Sequence, residues 1–128
     1  MIKKLIFLIS AILYLNANHI SWFGDYDKAL EKAKEENKPL MILLIKDDCK
    51  KCKDIVKRIF TNHPYLDKLN KKVIPVIVNN SSKQSYPREM YWSNTYPTLF
   101  FVDSKTETFI HKPFYHDVSI LQIEGVLK

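Results

Sequence analysis

The sequence predicts one α/β domain: a mixed sheet between layers of helices, three layers (α/β/α) in all. Three observations carry this. The 128 residues suit one domain. In the first half, segments of helical period alternate with short apolar runs, which calls for parallel strands joined by helices. Near the end two strand-like runs follow one another directly, which calls for antiparallel pairing.

Met1 to Lys4 is a short basic start, and Leu5 to Leu15 is apolar apart from Ser10. That run is too short to span a bilayer as a helix, which needs about 20 residues. It matches the core of a secretory signal. Cleavage after Ala17 fits the small-residue preference at the last position, while Leu15 fits poorly two residues earlier. Residues 1–17 are therefore expected to be a signal peptide, cut or retained as an anchor, with the folded domain over 18–128. A buried N-terminal helix is disfavoured, because two lysines precede an apolar run with no polar face.

Asp25 can cap a helix reaching about Asn37, with Tyr26, Ala29, Leu30 and Ala33 on its apolar side. Pro39 stops it. Leu40 to Ile45 is a continuous apolar run, as expected of a strand buried on both faces. After Lys46-Asp47-Asp48-Cys49-Lys50-Lys51-Cys52-Lys53, the positions Cys52, Ile55, Val56 and Ile59 form one stripe of a second helix. A short helix follows over Tyr65 to Asn70, with Leu66 and Leu69 inward. Val73 to Val78 is a strand holding Pro75, which places it at or near a sheet edge. A polar linker, Asn79 to Arg88, leads towards Thr98 to Val102, strong strand material, and Arg88 to Ser93 is a candidate helical turn. Glu107 to His111 is expected as the returning hairpin strand, closed by Pro113. Asp117 is the candidate cap of a last helix carrying Ile120, Ile123 and Leu127, which Gly125 could end early.

Both cysteines lie in one stretch, two residues apart and among six charged side chains. A disulfide there closes too small a loop to staple a fold usefully. A cysteine at a helix start faces free backbone amides and the positive end of the helix dipole, which favour thiolate. Lys50, Lys51 and Lys53 add to this, whereas Asp47 and Asp48 oppose it. Cys49 is then the expected nucleophile. Cys52, on the apolar stripe, is the expected resolving thiol. Structural zinc needs about four ligands, and His19, His63, His111 and His116 offer no paired spacing near the cysteines. Bound copper or another thiophilic metal, and an inert pair, stay open as competing readings.

The formal charge of +6 falls to +4 if Lys3 and Lys4 leave with the signal. The lysines are dispersed, and Arg58 and Arg88 are the only arginines, so no nucleic-acid partner is expected. Gly24 and Gly125 are the only glycines, so there is no glycine-rich phosphate cradle and no cofactor is expected.

Together these residues resemble the thioredoxin superfamily. The branch they resemble is the secreted one that includes the C-terminal domain of the bacterial transmembrane disulfide reductase. The resemblance runs over about residues 22 to 125. It rests on Trp22, Ala29, Ala33, Lys38-Pro39, the Leu40 to Ile45 run, Cys49-Lys50-Lys51-Cys52-Lys53, Phe60 and Tyr96-Pro97-Thr98. It implies a thioredoxin-like fold and a cis Tyr96–Pro97 bond beside the dithiol. Thr95, Tyr96 and Pro97 would present backbone to a substrate strand. It also implies an exported, periplasmic thiol–disulfide oxidoreductase acting on disulfide-containing client proteins, with a membrane disulfide reductase as electron donor. The alternatives are a dithiol oxidase of the same fold, a periplasmic copper-carrying thiol chaperone, and an adaptor with a vestigial dithiol. There is no dimerisation domain of the kind some isomerases carry, so a monomer is expected.

The chain also departs from the pattern. Familiar thioredoxins have tryptophan before the first cysteine and glycine-proline between the two; here stand Asp48 and Lys50-Lys51. Their buried proton-relay aspartate is matched by Leu43, leaving Asp47 and Glu89 as candidate stand-ins. In the linker, Trp92 is expected in the core, while Tyr91 or Tyr96 is expected to wall a substrate groove.

Overall fold

A computed structural model describes residues 19–128; the expected signal segment and its cut site lie outside the described residues. Helix α1 is Tyr26–Glu36, strand β1 Leu40–Ile45, helix α2 Lys50–Ile59 and helix α3 Leu66–Lys72. Then come strands β2, Ile74–Asn79, β3, Thr98–Val102, and β4, Phe114–Tyr115, and helix α4, Ile120–Val126. The strands line up β2-β1-β3-β4, with β1 parallel to β2 and antiparallel to β3, and β3 antiparallel to β4. The sheet is mixed, as expected.

The period-2 alternation of β1 divides the core. Met41 and Leu43 pack with Ile55, Ile59, Leu66, Leu69, Leu99, Phe101 and Ile123 on one face. Leu40, Ile42 and Leu44 pack with Tyr26, Ala29, Ala33, Val76, Phe100 and Val102 on the other. With strands on both sides and helices on both faces, β1 has no solvent side, hence its unbroken apolar run.

Local chemistry explains the helix ends. The Asp25 carboxylate accepts from Lys28 N at 3.1 Å, and Asn37 closes α1 in the left-handed region at φ 53°. Pro75 lies on the edge strand. Its carbonyl accepts from Phe23 N at 2.8 Å, and Ile77 N donates to Phe23 O at 3.0 Å, so the N-terminal segment covers part of that edge.

The second half differs from expectation in several places. The returning strand is not Glu107 to His111. That stretch makes one bridge, Val102 to Phe109, and β4 pairs Phe114 and Tyr115 with Leu99 and Thr98. Glu107 takes φ 55°, a turn conformation that breaks an extended run, and Pro113 therefore precedes the strand instead of closing it. Ser119, not Asp117, caps α4, in a reciprocal capping box with Gln122. Asp117 instead pairs with Arg58 on α2 and accepts from Val118 N at 2.8 Å. Gly125 lies within α4 rather than ending it. Arg88 to Ser93 contains no helix; the amides of Met90 and Tyr91 both close on Pro87 O at 3.1 Å, a lone turn.

Candidate functional site

The site stands where β1 ends and α2 begins. Lys46, Asp47 and Asp48 leave the sheet, and Asp48 takes φ 53°, a left-handed conformation that aspartate tolerates better than most residues. Cys49 is then the N-cap of α2, with extended backbone at φ −112°, ψ 100°. Its Sγ accepts from Cys52 N at 3.1 Å, the place a serine or aspartate oxygen usually takes. Cys52 follows on the first turn and faces the core with Ile55 and Ile59. The two cysteines are joined as a disulfide, with Cα atoms 5.3 Å apart. Cys49 is 8% exposed and Cys52 4%, so the first cysteine is the more open of two nearly buried ones.

A cavity of about 480 Å³ opens beside the disulfide on the β2 side. It is lined by Ile45, Lys46, Asp47, Asp48, both cysteines, Lys53, Val56, Ile77 and Asn79. Asp47 is fixed there: its carboxylate accepts from Asn79 Nδ2, and its amide donates to Ser81 Oγ, each at 3.0 Å. Leu43 is fully buried in the apolar cluster of the α2 face. Glu89 is exposed on the linker and does not line this cavity. Lys50 and Lys51 are exposed on the first turn of α2, which carries no acidic residue.

On the β3 side the Tyr96–Pro97 bond is cis. Pro97 is buried and its carbonyl accepts from His116 N at 3.0 Å. Thr95 and Tyr96 are half-buried. A hydroxyl cluster holds this turn: Ser93 Oγ accepts from Thr95 N at 3.0 Å, and Thr98 Oγ1 lies 3.0 Å from Ser93 Oγ and 2.8 Å from Thr95 O. Lys46 Nζ lies 5.1 Å above the Tyr96 ring, whose hydroxyl accepts from Asn80 Nδ2 at 3.0 Å. Among the described residues, neither the amide nor the carbonyl of Tyr96 has a hydrogen-bond partner within the chain.

Two aromatic expectations are exchanged. Trp92 is 69% exposed instead of buried in the core, and Tyr91, expected at the groove, is buried. The Pro87 turn brings both neighbours to the sheet, and the contacts of Tyr91 with Phe100 and Tyr26 decide which of the two points inward. Tyr91 packs its ring 5.4 Å from Phe100 and 5.5 Å from Tyr26.

Several contacts of long separation carry no signal in the sequence. These are the Arg58–Asp117 pair, the His116–Pro97 hydrogen bond and the link of Tyr26 to Tyr91 and Glu107. The Ser93, Thr95 and Thr98 spacing was a readable local hint, since short hydroxyl side chains hold turns. Two of the histidine side chains take local roles: His63 Nδ1 accepts from Tyr65 N at 3.1 Å, and His111 stacks on Phe114. Among the described residues, no three His, Cys, Asp or Glu side chains gather as a metal site, and no helix is long and apolar enough to cross a membrane.

Comparison with solved structures finds the same fold in several chains. A DsbH oxidoreductase matches with a TM-score of 0.68 and 18% identity, over 88% of each chain. A putative disulphide-isomerase from Bacteroides thetaiotaomicron matches with a TM-score of 0.68 and 21% identity, over 87% of this chain and 93% of the other. No curated protein matches the sequence. The family model described as thioredoxin-like matches residues 21–104, a span holding β1, the capped disulfide, β2, the cis-proline turn and β3. With that match over more than half of its length, the chain belongs to the thioredoxin-like family.

Proposed function

We propose that the protein is an exported thiol–disulfide oxidoreductase that reduces disulfides of client proteins in the periplasm. In this reading residues 1–17 are the signal or anchor and 18–128 the working domain. The observation that carries it is Cys49 as a helix cap. A sulfur that accepts a backbone N–H is stabilised as thiolate, because hydrogen bonds to a charged acceptor are about twice as strong as neutral ones. Lys50 and Lys51 reinforce that charge and Asp48 moderates it.

The Cys49 thiolate attacks one sulfur of the client disulfide. This forms a mixed disulfide and releases the first client thiolate. Cys52, once deprotonated, attacks Cys49 Sγ and expels the second. Two electrons pass to the client, and the protein is left as the Cys49–Cys52 disulfide. Thr95, Tyr96 and Pro97 hold the client backbone beside Cys49 in strand-like pairing. A membrane disulfide reductase of the secreted branch's own type restores the dithiol.

The test is reduction of insulin disulfides, together with the redox equilibrium of the pair against glutathione. Catalysed reduction with a strongly reducing equilibrium supports the assignment; absence of any disulfide exchange ends it. The cap hydrogen bond also favours a second reading, a dithiol oxidase, because stabilising the thiolate raises oxidising power. A weakly reducing equilibrium, near that of known oxidases, would select it.

A further inference from the structure

Trp92 is a large apolar side chain held out in solvent by a loop that is itself fixed. Met90 and Tyr91 close on Pro87 O, Tyr91 is buried, and Ser93 is tied to Thr95 and Thr98. Side chains alternate along the loop: Tyr91 and Ser93 point in, while Met90 (38% exposed), Trp92 and Asn94 point out. The exposure of Trp92 is therefore set by the fold.

The loop also has a definite place. Thr98, to which it is tied, pairs with Leu44 near the end of β1, so Trp92 stands at the disulfide end of the sheet. The loop runs from Trp92 directly to Tyr96, whose amide and carbonyl have no partner among the described residues. Lone exposed apolar side chains are ordinary, and Leu121 on α4 is one. Trp92 differs in combining bulk, a fixed position and an unpaired stretch of backbone four residues on. Charge narrows the occupant further. Lys46 lies over Tyr96, and Lys50 and Lys51 are exposed beside Cys49, three cations against the exposed carboxylate of Asp48, while Asp47 is tied to Asn79 on the β2 side.

We propose that Trp92, with Met90, is a specificity surface for an extended client segment that carries a bulky apolar side chain and an acidic residue next to its half-cystine. The segment pairs with the Tyr96 backbone and lays its apolar side chain on the indole, and its carboxylate faces Lys46. This deepens the function proposed above and rests on it.

The test uses two peptide disulfides, one with glutamate and phenylalanine before cysteine, one with glutamate and glycine, and hydroxyethyl disulfide as a small control. Trp92→Ala is expected to lower kcat/KM for the phenylalanine peptide about tenfold, the scale of an aromatic anchor. The glycine peptide, the small control and the glutathione equilibrium should change by no more than about twofold. Equal losses on all three substrates, or none on the phenylalanine peptide, would overturn the proposal. A second readout does not depend on reduction. The indole N–H signals of Trp22 and Trp92, assigned with Trp92→Phe, are followed while a serine analogue of the phenylalanine peptide is added. The Trp92 signal should shift and the Trp22 signal should not; an unmoved Trp92 signal would overturn the surface even in an active enzyme. If the wild type reduces no disulfide at all, the function above falls, and the indole signal still decides whether the surface binds.

Discussion

The two faces of the sheet treat buried polar atoms in opposite ways. On the α1 face the Tyr26 hydroxyl donates to Glu107 Oε1 at 2.8 Å and lies 2.9 Å from the Tyr91 hydroxyl. Tyr26 has one proton to give, so Tyr91 supplies the other bond. This network ties α1, the linker and the turn after β3 together. Burial, then the bonds to Tyr91 and Glu107, push the Tyr26 phenol far above its ordinary range. On the α2 face the notable polar atoms are two nearly buried sulfurs beside an open cavity and the Tyr65 hydroxyl, which has no partner among the described residues. One face fastens the loops; the other holds the disulfide. Substitutions on one side should therefore leave the other's property nearly untouched.

The largest expected effect is on the α2 face. Cys49→Ala should reduce turnover to background in the insulin assay, and Cys52→Ala should accumulate mixed disulfides visible by mass spectrometry. Both should melt near the wild type in its reduced form. If alkylation instead finds Cys52 the faster-reacting thiol, the roles of the two sulfurs are reversed.

On the other face, Tyr26→Phe should cost about 1–3 kcal/mol in denaturant unfolding, because the Tyr91 hydroxyl and Glu107 each lose a partner. The glutathione equilibrium should stay put; a change there would show that the faces are coupled. The same phenol gives a pH signature. Its pKa is raised in the folded state, so its contribution to stability is complete below the unfolded value of about 10 and is lost as pH rises beyond it. Unfolding free energy should fall above about pH 10, and Tyr26→Phe should flatten that fall.

Smaller effects lie at the margins. The Arg58 guanidinium beside Asp117 holds that carboxyl below its usual range, so the pair's contribution is present above the ordinary aspartate pKa and fades as pH falls below it. Both partners are mostly exposed, so Arg58→Ala should cost no more than about 1 kcal/mol. The smallest change is expected from Tyr65→Phe. That hydroxyl is buried with no partner among the described residues, and its removal should be neutral to mildly stabilising.

The boundary between what sequence reveals and what it hides follows contact range. Leu40 to Ile45 read correctly because burial on both faces leaves a composition no exposed element shares. Cys49 and Cys52 fell on a helix start because cap, stripe and spacing are all local. Pro75 reported its edge because a missing amide has one consequence wherever it occurs. The linker failed for the opposite reason. Whether Tyr91 or Trp92 turns inward depends on Phe100 and Tyr26, partners far along the chain. The cap of α4 was misplaced because Asp117 and Ser119 are both good caps, and Arg58 claims the first. The family resemblance located the cis-proline turn. It was silent on Trp92, which the comparison with familiar members does not anticipate.

The sulfur that caps the start of α2 is also one half of the Cys49–Cys52 disulfide, and this links melting to redox poise. A thermodynamic cycle connects folded and unfolded chains in their dithiol and disulfide forms. Around it, the difference in unfolding free energy between the two forms equals the difference in reduction free energy between folded and unfolded chain, about 30 mV for each 1.4 kcal/mol. Two denaturation curves, one with reductant and one without, therefore weigh how far folding itself favours accepting electrons, with no client or donor in the tube.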